Sequence, residues 1–511
     1  MNRRLFNFCA SMLLALLFLL PAAALAGDEY LAHDHVELFS EGYLPSPPAP
    51  VSARARSTSS FNSYIASQLE KQSSRIDVSA YNMNVETFKN AYWALLNSRP
   101  DLFYVSGGFS YYSSSGIVTG LLPNYKYTGT DLKNRIRAFN SGVAKVVAYA
   151  NKANTAIGKL LLANDYLCVN FEYDTSYSIY SPDEMLSSGK GVCQAYMLLY
   201  RAVLNELGLQ SNTATSEAMN HTWNVVYLNG SWYHIDVTWN DPLYDRPLGA
   251  FHDNFLRSDS GIRETGHHSW DFSTAASSTK YDDFFWTDIS FALPVVDDVV
   301  YYLDPREQGE KRVIRSWDIG SGAGKAEYTF SARANNQVFY TSDGDPLWAT
   351  DDTFYYGVQN KLYSVNRSSR LVRTEYDTGD SSRMIRRLFM NNGTLRMYIE
   401  SWDGSGSSIV TLAQSSPKIF TLPAGTTAIK DEAFVGVACT DLVLPDGLVS
   451  IGERAFSGCA ELVNVYLPAS LTAIADDAFD GCSDQITFIC PDGSAAQAYA
   501  QAHGFSFTVT E

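Results

Sequence analysis

Two dipeptides recur at a fixed interval near the C-terminal end of the chain, and this periodicity constrains the fold more than any other feature. Leu-Pro begins at residues 422, 444 and 467, Cys-Pro takes the same phase at 490, and Ala-Phe begins at 433, 455 and 478. A period of 22 to 23 residues fits one short strand and one turn or helix per repeat, and such units bury their apolar faces only by stacking. We therefore predict a short solenoid over residues 416–511. It would offer an extended surface to a surface protein or a glycan, and the alternative is a spacer that binds nothing.

The run LVLPDGLVSIGERAFSGCAELVNVYLPASLTAIADDAFDGC contains two consecutive repeats. It resembles the irregular leucine-rich repeats of bacterial surface proteins. Cys459 and Cys482 take the same phase of successive repeats, so we expect packed thiols beneath the strands. A disulfide between them is the alternative in an oxidising compartment.

The first 26 residues have the three parts of a signal peptide. Arg3 and Arg4 form a positive start, the apolar run ASMLLALLFLLPAAALA follows, and Ala-Leu-Ala at 24–26 supplies a pattern that signal peptidase accepts. We predict cleavage there, a secreted or cell-surface protein and no membrane-embedded segment in the mature chain; an uncleaved anchor is the alternative. Residues 27–60 include PSPPAPVSARARSTSS and are predicted to be a linker.

Length and charge exclude several classes of fold and function. A chain of 511 residues is too long for one hydrophobic core, so a multidomain protein is expected. The net charge of −17, or −19 without Arg3 and Arg4, provides no basic surface for nucleic acid. The cysteines form no CxxC pair and no clustered Cys/His spacing, so we predict no metal site and no cofactor.

Two further segments are separated by their helical and strand patterns. Residues 61–149 combine helical spacing over VETFKNAYWALLNSRPDLFYV and IRAFNSGVAKVVAYANKA with tyrosine-rich strands, which predicts an α+β segment. Residues 285–415 consist of consecutive strand patterns with glycine-bearing turns, which predicts a β-rich domain. Its hairpins are similar to propeller blades, but they are too few to close a ring.

Cys193 stands where a helix would present a thiol at its tip. It follows Gly-Lys-Gly at 189–191 and opens the run CQAYMLLYRAVLNELG, whose apolar residues fall on one helical stripe that stops at Gly208. The N–H groups and the positive dipole end of a first helical turn stabilise a thiolate. We therefore expect Cys193 to be a nucleophile, and we expect Cys168, within an apolar helix, to belong to the core.

A base for this thiol is predicted in a β-hairpin over residues 220–242. Asn-Gly at 229–230 is the strongest short hairpin signal, and a two-residue turn there places Thr238 opposite His221. His221 and Asp236 then lie on one face as diagonal neighbours, close enough for an imidazole–carboxylate hydrogen bond. A three-residue loop would put them on opposite faces instead.

Other residues of this region compete for the same roles. His234 lies on the same predicted face and could be the base; His221 is preferred because a residue at a strand end can approach a helix tip more easily. Asp241 is the alternative carboxylate, although its NDP context is typical of a turn. His267 and His268 are expected to be surface or packing residues.

Three motifs in order, GVCQAY, NHTWNVV and WYHIDVTWNDP, resemble the transglutaminase-like superfamily of papain-type cysteine enzymes. The resemblance covers about residues 150–275 and implies an α+β papain-like core, with Cys193 as nucleophile, His221 as base and Asp236 as the orienting carboxylate. It also implies acyl transfer from a peptide or protein substrate to an amine or water through a thioacyl intermediate. The alternatives are a cysteine peptidase or amidase with the same triad, and a non-catalytic surface adhesin that uses the repeats.

Two further groups have expected roles in this chemistry. The Cys193 N–H at the helix tip should supply part of an oxyanion hole. Trp223 and Trp239 are expected to act as aromatic walls that exclude water, with simple core packing as the alternative.

Overall fold

The computed structural model describes residues 55–241, 247–307, 309–334, 337–338, 346–391, 393–413, 418–483 and 486–510. The predicted signal peptide, 1–26, and residues 27–54 of the predicted linker lie outside this range. The first helix begins at Ala55, so the linker prediction is wrong for residues 55–60. Helix forms there because Phe61, Ile65 and Leu69 repeat at helical spacing and are fully buried. Within the described residues, no helix has both the length and the apolar character needed to cross a membrane.

The described part of the chain contains nine α-helices, and four of them lie where the sequence patterns predict helices. They are α1 (Ala55–Glu70), α2 (Val85–Ser98), α3 (Gly129–Ala150), α4 (Ala156–Asn170), α5 (Pro182–Ser188), α6 (Cys193–Glu206), α7 (Val237–Asn240), α8 (Asp259–Glu264) and α9 (Ala495–His503). Short 3₁₀ turns span Ser79–Tyr81, Pro100–Leu102 and Phe285–Asp288.

The N-terminal half of the described chain contains three small sheets. Its strands are β1 (Ile76–Asp77), β2 (Val105–Ser114), β3 (Ile117–Tyr125), β4 (Glu172–Tyr173), β5 (Lys190–Gly191), β6 (Ser211–Ser216), β7 (His221–Leu228), β8 (Ser231–Ile235) and β9 (Phe255–Arg257). The sheet orders are β1-β3-β2, β4-β5 and β6-β7-β8-β9. Helix α6 packs against the last of these sheets and against α3 and α4. The predicted stripe is buried at Ala195, Tyr196, Leu199 and Val203, whereas its last predicted member, Leu207, follows the end of α6 and is partly buried. Cys168 on α4 is buried.

The next segment is built of antiparallel strands, which confirms the predicted β-rich character. The strands are β10 (Val295–Val296), β11 (Val299–Leu303), β12 (Lys311–Asp318), β13 (Gly324–Ser331), β14 (Arg333–Ala334), β15 (Gln337–Val338), β16 (Leu347–Ala349), β17 (Thr353–Val358), β18 (Lys361–Asn366), β19 (Val372–Asp377), β20 (Arg383–Asn391), β21 (Thr394–Ser401) and β22 (Ser407–Ala413). They pair with their chain neighbours in sheets β10 to β13, β14–β15, β16 to β19 and β20 to β22. Large side chains such as Trp348, Leu388 and Phe389 join the same apolar core as the helices.

The repeat region forms two parallel sheets. Its strands are β23 (Ile419–Thr421), β24 (Ala428–Ile429), β25 (Asp441–Val443), β26 (Ser450–Ile451), β27 (Asn464–Tyr466), β28 (Ala473–Ile474), β29 (Thr487–Pro491) and β30 (Ser506–Thr510). The orders are β23-β25-β27-β29-β30 and β24-β26-β28. Leu442 pairs with Val465, and Val465 pairs with Phe488, so each step along the sheet advances by one repeat. The phenylalanines of the Ala-Phe dipeptides stack on one another in the apolar core of the repeats, in the order Phe434, Phe456, Phe479.

The cysteines of the repeats are free thiols. Cys459 Sγ donates to the carbonyl of Phe434 at 3.5 Å, and Cys482 Sγ donates to the carbonyl of Phe456 at 3.1 Å. Cys459 is buried and Cys482 is partly buried. Both thiols therefore satisfy a carbonyl of the preceding repeat, in agreement with the packed-thiol prediction and not with the disulfide alternative.

The β-rich segment contacts the outer face of the larger repeat sheet. Arg373 on β19 forms an ion pair with Asp441 on β25 at 2.8 Å, and the Asp441 side chain is only 2% exposed. Asn464 on β27 donates to Asp441 at 3.1 Å and accepts from the backbone N–H of Thr374 at 3.1 Å. These polar residues, aligned along the parallel strands, are thus covered by β19 and are not open to solvent.

Candidate active site

Cys193 is the first residue of α6, as the sequence predicts. Gly189 ends α5 with φ +76°, a left-handed conformation that favours glycine. A Cβ on Gly191 would lie 2.8 Å from the Ala195 Cβ and 2.9 Å from the Met185 Sδ, so only glycine lets the chain pass this close to the helix. The two glycines therefore set the approach to the helix tip, where Cys193 is 8% exposed.

The first turn of α6 has no side-chain cap, because its N-cap residue is Val192. Side chains cap some other helices of the described chain, for example Asn84 on α2 and Thr155 on α4, whereas α3 and α5 begin without a side-chain cap as α6 does. A valine at this position leaves the first-turn N–H groups without the side-chain acceptor that helices usually provide. The N–H groups beside the thiol thus remain suited to an anionic oxygen.

The predicted hairpin forms with the predicted register. β7 and β8 are joined by Asn229 and Gly230, both with positive φ, and Leu228 pairs with Ser231. The ladder ends at the pair Asn224 and Ile235. The expectation that the strand continues to Thr238, opposite His221, is wrong. Asp236 instead caps the short helix α7, because its Oδ1 accepts the backbone N–H groups of the next turn.

His221 and Asp236 are hydrogen-bonded even though the ladder stops before them. The His221 Nε2 lies 2.5 Å from Asp236 Oδ2, and both side chains are buried. Asp236 Oδ1 accepts from the backbone N–H groups of Thr238 at 3.0 Å and Trp239 at 3.2 Å. Because an ionised carboxylate only accepts, Nε2 carries the proton, and Nδ1 is left for the Cys193 thiol. The thiol is within hydrogen-bonding reach of this ring.

A second imidazole binds the same carboxylate oxygen. His267 Nε2 lies 2.8 Å from Asp236 Oδ2, and the His267 side chain is fully buried. The expectation that His267 is only a surface or packing residue is therefore wrong, whereas His268 is exposed as expected. The one local signal is Gly266, whose φ of +109° turns the chain after α8 so that His267 points inward.

The charges of this cluster are set by mutual interaction. Burial alone would lower the pKa of His221, but the Asp236 carboxylate and the Cys193 thiol raise it to about 10. Burial alone would raise the pKa of Asp236, but His221 and then His267 hold it well below its usual range. At neutral pH the two groups therefore form an imidazolium–carboxylate ion pair.

Aromatic rings enclose the His221 imidazole. Trp223 stacks on it with ring centroids 5.6 Å apart and an interplanar angle of 23°, and Trp239 lies 5.5 Å away on a tilted plane. Both tryptophans also contact His267, at 4.8 and 4.2 Å. Trp223 is buried and Trp239 is partly exposed, so Trp239 lies at the solvent side of the site.

The competing residues are placed elsewhere. His234 accepts from the Trp223 indole at 2.9 Å on Nδ1 and contacts Asp259 at 2.9 Å through Nε2, so it fixes the tryptophan. Burial lowers the pKa of His234 despite the Asp259 carboxylate. Asp241 is buried and accepts a hydrogen bond from Tyr196, and burial raises its pKa well above the usual range. The turn predicted after Asp241 falls on residues 242–246, which lie outside the described part of the chain.

The same cluster contains the groups that a metal ion would need. Ligand atoms of His221, Asp236 and His267 all lie within 4.8 Å of one another. The sequence predicts no metal site, and no clustered spacing points to these residues. The Nε2 atoms of His221 and His267 are both hydrogen-bonded to Asp236 Oδ2, so a metal ion bound there would have to replace those hydrogen bonds.

Comparisons with known proteins find matches for two separate parts of the chain. Residues 144–237 match the transglutaminase-like superfamily, and residues 411–503 match the BspA type leucine-rich repeat region in six copies. The chain contains a transglutaminase-like core and BspA-type repeats. The first match includes the thiol, the imidazole and the carboxylate at Cys193, His221 and Asp236, but ends before His267.

Curated relatives of the transglutaminase-like core are distant. The kyphoscoliosis peptidase of Homo sapiens is 25% identical over 132 residues, which cover 22% of this chain and 20% of that protein. The protein of the same name from Mus musculus is 26% identical over 106 residues, which cover 17% of this chain and 16% of that protein. The chain thus spans about a fifth or less of the length of these relatives.

Two solved structures are similar to parts of this chain. One is described as a TGase and is 17% identical, covering 28% of this chain and 46% of that chain with a TM-score of 0.20. The other is a leucine rich cell surface protein from Faecalibacterium prausnitzii, which is 22% identical and covers 23% of this chain and 38% of that chain with a TM-score of 0.14.

Proposed function

We propose that the protein is an exported transglutaminase-like cysteine enzyme that acts on peptide or protein amides. The observation that carries the proposal is the alignment of three groups: the Cys193 thiol at a helix tip, the His221 imidazole within its reach, and Asp236 on the far side of the ring at 2.5 Å. A nucleophile, a base and a group that orients the base are what covalent acyl transfer needs.

In the proposed reaction, the thiolate of Cys193 attacks the carbonyl carbon of an amide. The imidazolium of His221 gives its Nδ1 proton to the leaving nitrogen as the carbon–nitrogen bond breaks, and a thioester remains on Cys193. His221 then takes a proton from the incoming amine or water, which attacks the thioester and releases the thiolate. Asp236 holds the Nε2 proton throughout and stabilises the imidazolium.

The negative oxygen of each tetrahedral intermediate is stabilised by the first turn of α6. The Cys193 N–H points from the helix tip, and the valine N-cap leaves the turn without a side-chain acceptor. Such a donor acts in a largely buried site, where its hydrogen bond to an anion is strongest.

A hydrolytic version of the reaction is the second candidate. The curated relatives are called peptidases, and transfer to water would make this protein one as well. Enclosure of His221 by Trp223 and Trp239 favours the amine as acceptor, because it limits the access of water to the thioester.

For the repeats, we propose a short solenoid that acts outside the cell. The parallel pairing advances by one repeat per strand in both sheets, and the BspA-type match supports an extracellular or surface location. Because β19 covers the outer face of the larger sheet, a protein or glycan ligand would bind to the smaller sheet, β24-β26-β28, or to the connecting turns.

The proposed activity is tested by incubating the protein with a glutamine-bearing protein and a dansylated primary amine. Incorporation of the amine indicates transfer, and release of ammonia or of new amino termini without incorporation indicates hydrolysis. Cys193→Ala should abolish both, whereas Cys168→Ala, a change at a buried thiol outside the site, should abolish neither. Equal product with and without Cys193 would refute the enzyme.

A further inference from the structure

Strand β4 and the loop that joins it to α5 together carry three tyrosines beside the candidate nucleophile. Tyr173 pairs with Gly191, and the backbone N–H of Val192 donates to the carbonyl of Ile179 at 2.9 Å. Both ends of the loop are thus attached to the two residues that precede Cys193. The loop therefore begins and ends beside the helix tip that carries the thiol.

Two tyrosines of this loop are exposed although they are large and partly apolar. Tyr177 is 58% exposed and Tyr180 is 42% exposed, and both are among the most exposed large hydrophobic side chains of the described residues. Tyr173 is half-buried and contacts Tyr177 edge to face, with ring centroids 6.1 Å apart. Exposed aromatic rings grouped at one place are typical of binding surfaces.

The loop is held rigidly by one buried carboxylate. Asp174 is 4% exposed and accepts from the backbone N–H groups of Ser176, Ser178 and Ile179 and from both serine hydroxyls. Tyr177 lies between the two serines with φ +54°, a conformation that is rare for a bulky residue. Backbone strain of this kind persists where the surrounding structure enforces it, and it is concentrated at ligand sites.

The electrostatics agree with closeness to the thiol. Burial first, and then the charge of a Cys193 thiolate, raise the pKa of both Tyr173 and Tyr180. Burial raises the pKa of Asp174, but the hydrogen bonds from Ser176 and Ser178 hold it below the usual range, so the carboxylate charge is stabilised by donors within the loop. Among residues 173–181, all of which the structure describes, Asp174 is the one charged side chain. The exposed surface of the loop is therefore aromatic and uncharged.

We propose that Tyr173, Tyr177 and Tyr180 form a tyrosine platform that binds the peptide segment around the reactive amide and selects uncharged, aromatic or apolar flanking residues. The inference rests on the proposed function for its choice of ligand. Aromatic faces also bind sugar rings, but a thiol placed beside the platform attacks an acyl carbon, which favours a peptide over a glycan.

The test compares peptides that differ only beside the glutamine. The peptides GGFQFGG-NH2, GGSQSGG-NH2 and GGEQEGG-NH2, each with fluorescein on its N-terminal amine, are mixed with increasing amounts of the Cys193→Ala protein, and binding is followed by fluorescence anisotropy. We expect the phenylalanine peptide to bind about tenfold more tightly than the serine peptide, and the glutamate peptide to bind most weakly. Tyr177→Ala and Tyr180→Ala should each reduce the preference for phenylalanine by about two- to tenfold.

Tyr227 provides the matched control. It is 43% exposed and lies six residues along β7 from His221, about 20 Å away, so Tyr227→Ala should leave the preference unchanged. Equal binding of the phenylalanine and serine peptides, or a preference that survives the double change at Tyr177 and Tyr180, would overturn the proposal. Displacement of the phenylalanine peptide by N-acetylglucosamine oligomers would overturn it in favour of a glycan site.

A turnover assay with the same peptides separates this inference from the proposed function. Ammonia release by the protein with Cys193 intact is measured beside binding. Tyrosine-dependent binding without any turnover refutes the enzyme and keeps the platform. Turnover with a preference that does not depend on the tyrosines keeps the enzyme and refutes the platform.

Discussion

Replacement of His267 by alanine tests whether the second imidazole on Asp236 positions the first. Asp236 Oδ2 accepts from His221 at 2.5 Å and from His267 at 2.8 Å, and the Asp236 side chain is 1% exposed. Removal of His267 therefore leaves Oδ2 with one side-chain donor in a place that is closed to bulk water. We expect the carboxylate to hold His221 less firmly in line with the thiol.

The magnitude follows from the contacts that are lost. A hydrogen bond to a charged group is worth about 1.5–3 kcal/mol, and the space left between Trp223 and Trp239 adds a cavity cost. We expect the free energy of unfolding to fall by about 2–4 kcal/mol. If about 1.4–2.8 kcal/mol of transition-state stabilisation is lost, kcat falls about ten- to a hundredfold, with little change in KM.

The pH profile separates a positioning role from a packing role. Without His267, the charge of Asp236 is shared among fewer donors, so the pKa of His221 should rise further and the alkaline limb of kcat should move to higher pH. His267→Gln keeps an N–H donor near the position of Nε2 and should restore the limb. The exposed neighbour supplies the control, since His268→Ala should behave as wild type. Loss of stability in His267→Ala with an unchanged kcat and pH profile would refute the positioning role.

Three other changes test the scaffold around the site. The free energy of unfolding that Asp236→Asn removes, measured by urea unfolding, should be largest near about pH 5.5, where Asp236 and His221 are both charged, and should shrink towards pH 10. The reason is that the raised pKa of His221 gives a stabilisation that is complete below 6.5 and is lost as the pH rises through about 10. A loss of stability that grows with pH would contradict the ion pair. Gly191→Ala should cost about 1–3 kcal/mol by crowding the helix tip and should slow alkylation of the thiol there; unchanged alkylation would mean that the tip tolerates a Cβ. Arg373→Met should destabilise the protein by about 3–5 kcal/mol, because it leaves the buried Asp441 carboxylate without its ion-pair partner. The double change Arg373→Met with Asp441→Leu should recover most of that loss. If the destabilisations of the two single changes simply add in the double variant, the ion pair is not the cause.

Local signals in the sequence predict the parts of the site that depend on neighbours along the chain. Asn229 and Gly230 fix a two-residue turn, and the turn fixes the register of the ladder, which, counted from the turn, ends a few residues before His221 and one residue before Asp236. The glycines before Cys193 and the apolar stripe after it likewise predict α6 from local pattern alone. The hydrogen bond between His221 and Asp236 survives the early end of the ladder, because capping of α7 turns Asp236 back towards the sheet.

Contacts between distant segments could not be predicted in this way. His267 lies 31 positions after Asp236 in the chain and contacts it through the turn that follows α8. No sequence pattern near His267 predicts Asp236 as its partner. The same is true of Arg373 and Asp441, whose ion pair joins the β-rich segment to the repeats, because no local pattern in the sequence predicts a contact between the two segments. The sequence pattern does not predict the helical start at Ala55, because residues 55–60 are mostly polar. The buried side chains that stabilise this helix begin only at Phe61.

The central claim is that the Cys193 thiol is activated by His221, and alkylation tests it most directly. The rate of modification by iodoacetamide is measured at each cysteine of the folded protein across about pH 5 to 9, the range below and above the free-thiol value near 8.5, with peptides read by mass spectrometry. The account predicts that Cys193 alone reacts at the acidic end, that Cys168 stays inert, and that His221→Ala removes the acidic reactivity. Reactivity of Cys193 that matches Cys168, or that is unchanged by His221→Ala, would contradict it.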